Sequence, residues 1–95
     1  MRAVHPGEIL RKDILPEINI SESKLAECLN VSRMTVSRLV NERQAVSPGM
    51  ALRLGKLFGN NPDFWLNLQN AYDLKIAKDS MSQELKKIKP ILTTA

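Results

Sequence analysis

Apolar residues recur along most of the chain at intervals of three and four, the spacing of helices that bury one face. Strand-like alternation competes nowhere. Pro6 suits the first turn of a helix, Pro16 is predicted to end that helix near residue 15, and Gly59 closes a later one. The chain is therefore predicted to be all-α. The predicted helices run over about 6–15, 22–29, 33–41, 48–58 and from 62 onward, with a sixth, frayed helix near 82–88.

Short polar side chains stand directly before most of these helices. Ser21, Ser32, Ser47 and Asn61 can each accept a hydrogen bond from an otherwise unpaired backbone N–H of the first turn. His5 is predicted to assist the start of the first helix. The predicted inward positions are Leu25, Ala26, Cys28, Leu29, Val36, Leu39, Val40, Met50, Ala51, Leu54, Leu57 and Phe58.

The segment 22–41 has the organisation of a helix-turn-helix unit. Its two short helices are joined by a three-residue turn, and Asn30 tolerates the left-handed backbone that such a turn requires. Ala26 is small where the two helices approach, and Val36 and Leu39 follow inside the second helix. This spacing lets the helices cross steeply and leaves the polar face of the second helix free to enter a DNA major groove.

The exposed face of that second helix carries the candidate chemistry. Arg33 and Arg38 have long side chains that can donate two hydrogen bonds to O6 and N7 of guanine. Met34 offers only apolar contact, for instance with a thymine methyl group. Short hydroxyl groups that reach phosphates or base edges belong to Ser32, Thr35 and Ser37. The far end of the helix, where contact with the DNA backbone is favoured over base reading, carries Asn41 and Arg43.

The alternative for this segment is a helical hairpin whose polar face is only solvated. Against it, the face carries no acidic residue, and Arg33, Arg38 and Arg43 cluster within a short stretch. The formal net charge of +4 also suits a polyanionic partner, although charge alone is a weak signal. DNA binding is the favoured interpretation.

Length and composition bound the remaining classes. The 95 residues are enough for one domain, predicted over 1–78 and followed by a basic, flexible tail over 79–95, with a second DNA contact as the alternative role of the tail. The lone Cys28 is interpreted as a small core residue rather than a reactive thiol. Together with the lone His5 it is too little for a structural zinc site, so no metal or cofactor is expected.

An enzyme and a membrane protein are both disfavoured. The carboxylates Asp13 and Glu17 lie on either side of Pro16, and the chain contains no glycine-rich phosphate loop. No apolar run approaches the roughly 20 residues that span a bilayer, and the N-terminus lacks the apolar stretch of a signal peptide. The chain is expected in a reducing cytoplasm, without a membrane partner.

The fifth predicted helix carries most of the aromatic residues. One interpretation is that they only complete the core, for which Phe64 and Leu68 suffice. Trp65 and Tyr72, about two turns apart, then remain for a second copy of the chain. Paired operator half-sites require such a partner. The predicted dimer interface comprises Trp65, Leu68 and Tyr72.

Six sequence blocks carry a family resemblance and fall in family order. They are HPGEIL (5–10), VSR (31–33), TVSRL (35–39), AVSP (45–48), MALRL (50–54) and NPDFWLNLQ (61–69). Through them the stretch 5–74 resembles the HigA-type antitoxins, within the lambda-repressor-like, or XRE-type, helix-turn-helix superfamily. The chain departs from the usual family residues at Met34, where glutamine is common, and at Asn30 and Glu42, where glycine is common.

The resemblance implies a five-helix core and a homodimer on a palindromic operator. It also implies repression of the chain's own operon and neutralisation of a ribonuclease toxin. Carried over by position, the base-reading residues are Arg33, Met34, Ser37 and Arg38, and the phosphate contacts are Ser32, Thr35 and Arg43. Two alternatives stay open: a stand-alone transcriptional regulator with no toxin, and a protein-docking module in which DNA binding is vestigial.

Overall fold

The computed structural model describes residues 2–92, and every regular element among them is a helix. The predicted all-α fold is confirmed. The elements in chain order are α1 (Pro6–Ile9), a π-helical segment (Leu10–Ile14), α2 (Leu15–Ile18), α3 (Glu22–Leu29), α4 (Arg33–Val40), α5 (Pro48–Phe58), α6 (Pro62–Ser80) and α7 (Ser82–Lys86). The first three follow one another without a break and together form the first of the five predicted core helices.

The predicted end of the first helix at Pro16 is wrong, because the helix continues to Ile18. The N–H of Leu15 donates to the carbonyl oxygen of Leu10, five residues back, which is the pattern of a π turn. A proline in a regular α-helix meets the carbonyl of the preceding turn and lacks a donor. Because the wider turn directly before Pro16 moves those carbonyls out of the α register, the helix passes the proline and ends at Ile18, with Asn19 as its left-handed C-cap.

The predicted caps are confirmed. In α3, α4 and α5 the preceding serine Oγ accepts from the backbone N–H three residues on, at 3.0, 3.1 and 3.1 Å. Asn61 Oδ1 accepts from the N–H two residues on at 2.9 Å, and so does His5 Nδ1 at the start of α1. Asn30 and Gly59 adopt left-handed backbone with φ of 57° and 70°. Local hydrogen bonding therefore sets most of the helix boundaries.

The core lies between the first helix, α3, α4, α5 and the N-terminal part of α6. Trp65 is its largest completely buried side chain, and its Nε1–H donates to Asn60 Oδ1 at 3.0 Å. Gln69 is buried beside it and accepts from the N–H of Val46 at 2.9 Å, which ties the loop before α5 to α6. The buried apolar residues are Leu10, Leu15, Leu25, Ala26, Leu29, Val36, Leu39, Val40, Val46, Met50, Ala51, Leu54 and Trp65.

Two predicted core positions are wrong. Cys28 is exposed, because the face of α3 that meets α4 is defined by Leu25, Ala26 and Leu29 and leaves residue 28 outside it. Leu57 is also exposed. The inner position of α5 near it is Gly55, where a Cβ would lie 2.8 Å from the carbonyl oxygen of Asn60, so backbone rather than a leucine fills this part of the core.

The predicted domain boundary between residues 78 and 79 falls inside α6, which continues to Ser80. The short α7 follows where the sequence predicts a frayed sixth helix. Residues 93–95 of the predicted tail lie outside the described part of the chain. No helix within residues 2–92 combines the length and apolar character that a bilayer crossing requires.

Candidate nucleic-acid interface

Helix α4 presents one buried face and one open face. Val36, Leu39 and Val40 are completely buried against the core. On the opposite side the predicted base-reading residues lie at the surface: Arg33 and Arg38 are exposed, Met34 is exposed to 61%, and Ser37 is half-buried. The face is therefore open to solvent and carries two guanidinium groups, a thioether and a hydroxyl.

The N-terminal end of α4 brings two predicted phosphate contacts together. Ser32 Oγ accepts from the backbone N–H of Thr35 at 3.1 Å and lies 2.9 Å from Thr35 Oγ1. The two hydroxyls therefore form one small polar cluster at the positive end of the helix dipole, where an anion is favoured. Ser32 Oγ already caps the helix. Its contact with a phosphate stays a prediction.

The C-terminal end of α4 carries the other two predicted phosphate contacts. Asn41 Nδ2 donates to the carbonyl oxygen of Ser37 at 2.8 Å, so this side chain also closes its own helix. Arg43 is exposed, and its backbone N–H donates to the carbonyl oxygen of Arg38 at 2.8 Å. Both residues lie at the edge of the open face, and their contact with DNA stays a prediction.

Helix α3 braces α4 from behind, as the sequence predicts. Ala26 is buried, and its carbonyl oxygen accepts from the N–H of Val31 at 3.0 Å within the left-handed turn. A further contact, which the sequence does not predict, supports α3 itself. Arg53 of α5 donates to the carbonyl oxygens of Leu29 and Asn30, at 2.7 and 3.3 Å. A cation at a helix C-terminus is favoured by the unpaired carbonyls there. Arg53 therefore fixes the end of α3.

Helix α1 and the π-helical segment support α4 from the other side, through residues that the sequence pattern does not single out. Arg11 donates from Nη1 to the carbonyl oxygen of Val40 and from Nη2 to Glu42 Oε2 at 3.1 Å. A Cβ on Gly7 would lie 1.8 Å from the carbonyl oxygen of Leu39, so only glycine allows this contact. The motif HPGEIL contains this glycine, but the sequence gives no sign of which backbone it approaches.

The predicted dimer interface needs correction. Trp65 is completely buried within its own protomer, so its assignment to a contact with a second copy is wrong. Phe64, the suggested core residue, is exposed to 46% and packs its ring edge-to-face on Trp65 at 5.1 Å between centroids. Leu68 is half-buried against the core, and Tyr72 is half-buried with its ring edge-to-face on His5 at 4.9 Å. For these last two the interface stays a prediction.

Outside the α4 surface, the described part of the chain contains one buried histidine. Burial lowers the pKa of the His5 imidazole, and the carboxylates of Glu42 and Asp73 partly oppose this effect. Within residues 2–92 no three His, Cys, Asp or Glu side chains are grouped so that they could hold a metal ion. The interface on α4 is thus the site that the geometry defines: an exposed helix, braced on two sides, in a helix-turn-helix arrangement.

Comparison with known proteins agrees with this geometry. A protein-family model described as "Helix-turn-helix" matches residues 10–65. Antitoxin HigA-1 of Vibrio cholerae is 38% identical over 93 residues, which cover 98% of this chain and 88% of the relative. The uncharacterised helix-turn-helix regulator YbaQ of Escherichia coli is 40% identical over 88 residues, covering 90% of this chain and 78% of the relative.

A solved structure extends the likeness to three dimensions. Antitoxin HigA of Pseudomonas aeruginosa, determined with the higBA promoter, superposes with a TM-score of 0.91 at 42% identity and covers 96% of this chain and all of its own. The fold and the site define a helix-turn-helix protein. The chain belongs to that family and, within it, to the HigA-type antitoxins.

Proposed function

We propose that the chain is a sequence-specific DNA-binding antitoxin that represses its own operon as a dimer and neutralises a ribonuclease toxin. The observation that carries the DNA-binding part is the open face of α4. Arg33, Met34 and Arg38 project from a helix whose other face is completely buried. A solved relative with the same fold was determined with the higBA promoter. The role is one of binding rather than catalysis, in the compartment that holds the DNA.

Base reading and positioning are divided along α4. Arg33 and Arg38 supply paired donors for guanine, and Met34 and Ser37 supply an apolar contact and a short hydroxyl between them. Ser32, Thr35, Asn41 and Arg43 lie at the two ends of the helix, where the strands of the duplex pass.

An electrophoretic or anisotropy titration with the DNA upstream of the gene tests this part. We expect the upstream duplex to bind at least about a thousandfold more tightly than a scrambled duplex, the usual lower bound for specific recognition. The logarithm of affinity is expected to fall with the logarithm of salt by about 0.9 per neutralised phosphate. Equal affinity for both duplexes would contradict sequence-specific repression. No binding at any salt would support a protein-docking module instead.

The second copy is proposed to bind the C-terminal apolar surface, defined as Leu74, Ala77, Met81 and Leu85. These residues line one open depression where α6 meets α7. Leu74 is exposed to 70%, and Met81 and Leu85 to 44% each. Contiguous exposed apolar side chains of this kind mark protein interfaces. A palindromic operator presents two half-sites, so a two-fold partner that covers this surface also supplies the second reading helix.

The toxin partner rests on membership of the antitoxin family. Co-expression with the product of the adjoining reading frame tests it. We expect the two proteins to co-purify and the ribonuclease activity of the neighbour to fall to background at a stoichiometric ratio. A neighbour that retains full activity beside an excess of this chain would contradict the antitoxin role.

A stand-alone regulator is the second candidate function, because a relative of comparable identity is described only as a helix-turn-helix regulator. Operator binding without any toxin-like neighbour would favour it. The two candidates share the DNA interface and differ only in the protein partner.

A further inference from the structure

We propose that helix α1 and the π-helical segment set the angle of the DNA-reading helix, with Arg11 as the positioning residue. The inference rests on the proposed DNA-binding function, since it concerns how α4 is held for reading. Arg11 itself is not assigned a contact with DNA.

The contacts of Arg11 point to the end of α4. Its guanidinium donates to the carbonyl oxygen of Val40, the last residue of that helix, and to the carboxylate of Glu42 at 3.1 Å. Carbonyls at a helix C-terminus have no partner within the helix and carry partial negative charge. The planar guanidinium serves both acceptors at once, which the ammonium group of a lysine does not reproduce.

Glu42 makes this contact more than a surface ion pair. Its φ is 61°, a left-handed conformation that favours glycine. The N–H of Glu42 donates to the carbonyl oxygen of Leu39 and that of Arg43 to Arg38, at 3.0 and 2.8 Å, which is the Schellman pattern of a helix end. The ion pair with Arg11 therefore holds Glu42 in its strained conformation. The turn at Glu42 fixes the backbone between two candidate DNA contacts, Asn41 and Arg43.

Gly7 supplies the second fixed point between the two helices. Because a Cβ at this position would lie 1.8 Å from the carbonyl oxygen of Leu39, the backbone of α1 lies directly on the last turn of α4. Gly7 and Arg11 are one turn apart and contact adjacent residues of α4, Leu39 and Val40. Two contacts on the same face of α4 fix its angle to the first helix, whereas a single contact would let the two helices rotate about it.

A direct phosphate contact by Arg11 is the competing explanation. The side chain is exposed to 36%, but the guanidinium nitrogens already donate to two protein acceptors. The two roles differ in a measurable way. Loss of a phosphate contact weakens all DNA and lowers the salt slope by about 0.9. Loss of positioning weakens operator DNA selectively and leaves the salt slope unchanged.

The test compares Arg11→Met with Lys12→Met by anisotropy titration on operator and scrambled duplexes at several salt concentrations. Met keeps an unbranched apolar stem and removes the charged group with its hydrogen-bond donors. Lys12 is the neighbouring exposed cation and, within residues 2–92, forms an ion pair with Glu8 at 3.7 Å, so its replacement is the matched control for charge. For Arg11→Met we expect about a tenfold loss on the operator, within the range of one base contact, and less than a twofold loss on scrambled DNA. Lys12→Met is expected to change both by less than twofold.

Each outcome separates the explanations. Equal losses on both duplexes with a lower salt slope would make Arg11 a phosphate contact and overturn the proposal. An unchanged ratio of the two affinities in a folded Arg11→Met would reduce Arg11 to a structural residue and overturn it as well. Failure of the unchanged protein to prefer its operator would instead remove the proposed function, and with it the positioning role.

A second variant decides the case if Arg11→Met does not fold. Glu42→Gly removes the partner of Arg11 and at the same time relieves the left-handed strain, so the helix end is expected to remain folded. We expect the preference for operator over scrambled DNA to fall about threefold, because the guanidinium retains Val40 alone. An unchanged preference in Glu42→Gly would overturn the proposal.

Discussion

At the scale of single residues, Arg38 is the strongest candidate for reading a base. It lies near the C-terminal end of α4 on the exposed face. Within residues 2–92, its side chain forms no hydrogen bond or ion pair that holds this helix end. Replacement by alanine is expected to reduce specific affinity by about 1–3 kcal/mol and to relax the operator at one position. A competition assay with operators substituted base by base checks this. Equal loss on specific and random DNA would contradict base reading.

Arg43 provides the contrast within the same turn. It lies beyond the end of α4 and is exposed, so it reaches the sugar-phosphate backbone more readily than a base edge. Arg43→Ala is expected to weaken operator and random duplexes by the same factor and to lower the salt slope by about 0.9. The measurement is the pair of salt titrations. If only the preference for the operator disappeared, the division of roles along α4 would be wrong.

His5 makes the stability of the fold depend on pH. Its Nδ1 accepts from the N–H of Gly7 at 2.9 Å, and burial lowers the pKa of the imidazole despite the opposing carboxylates of Glu42 and Asp73. Between its lowered folded pKa and the unfolded value of about 6.5, the unfolded chain binds more protons than the folded one. The free energy of unfolding therefore has its full value above about pH 6.5, and it falls as the pH drops from there toward the folded pKa.

Urea denaturation at about pH 7.5 and 5.5 measures the effect. His5→Asn is the control, since asparagine caps a helix start without titrating. Its stability is expected to change less over this interval than that of the unchanged protein. A pH dependence that is identical in the two proteins would show that another group titrates.

At the scale of helices, the crossing of α3 and α4 depends on the small side chain of Ala26, which is 4% exposed. Ala26→Leu places extra methylene groups between the two helices, and overpacking of this kind destabilises by about 1–3 kcal/mol. The melting temperature is expected to fall accordingly. Ser23→Leu, on the exposed side of α3, is the control. Retention of the original melting temperature in Ala26→Leu would place the crossing elsewhere.

The sequence predicts the boundaries of α3, α4 and α5 well because those boundaries depend on local chemistry. Ser21, Ser32 and Ser47 each bond to the backbone within their own first turn. The path of the chain past Pro16 depends instead on a π turn, which neither propensity nor apolar spacing indicates. Local signals therefore predict the capped starts and the left-handed ends of helices, but not a helix that a π turn carries past a proline.

The candidate site divides in the same way. The open face of α4 follows from its own periodicity, so Arg33 and Arg38 can be placed at the surface from sequence alone. The supports of that helix join residues far apart in the chain: Arg11 with Val40, and Arg53 with Leu29. No spacing pattern contains such pairs. The orientation of Trp65 toward the core also depends on where the neighbouring helices lie, which the sequence does not indicate.

At the scale of the whole molecule, the chain is elongated, with extents of 51 × 22 × 22 Å. The compact helix-turn-helix body includes Trp65 in its core, whereas the end of α6 and α7 carry only exposed large apolar residues beyond Leu74. When a second copy covers apolar surface of this kind, the surface is removed from water and the dimer is stabilised. The proposed dimer contact is formed by α6 and α7 and uses no residue of α4, so it leaves the reading helix of each copy to the DNA.

Leu74→Lys tests that arrangement in sedimentation equilibrium. Leu74 is exposed to 70%, so the substitution leaves the folded protomer intact but places a charge in the proposed contact. Burying a leucine contributes about 1.5–3 kcal/mol, and the dimer dissociation constant is therefore expected to rise by at least about tenfold. Leu52→Lys is the matched control, because Leu52 is exposed to 63% on α5 and lines a different depression. If Leu74→Lys remains dimeric at a protein concentration at which Leu52→Lys dissociates, the second copy binds the side formed by α3 and α5 instead. If neither dissociates, the half-buried Leu68 and Tyr72 become the contact to examine, since they are the predicted interface residues that the core leaves partly open.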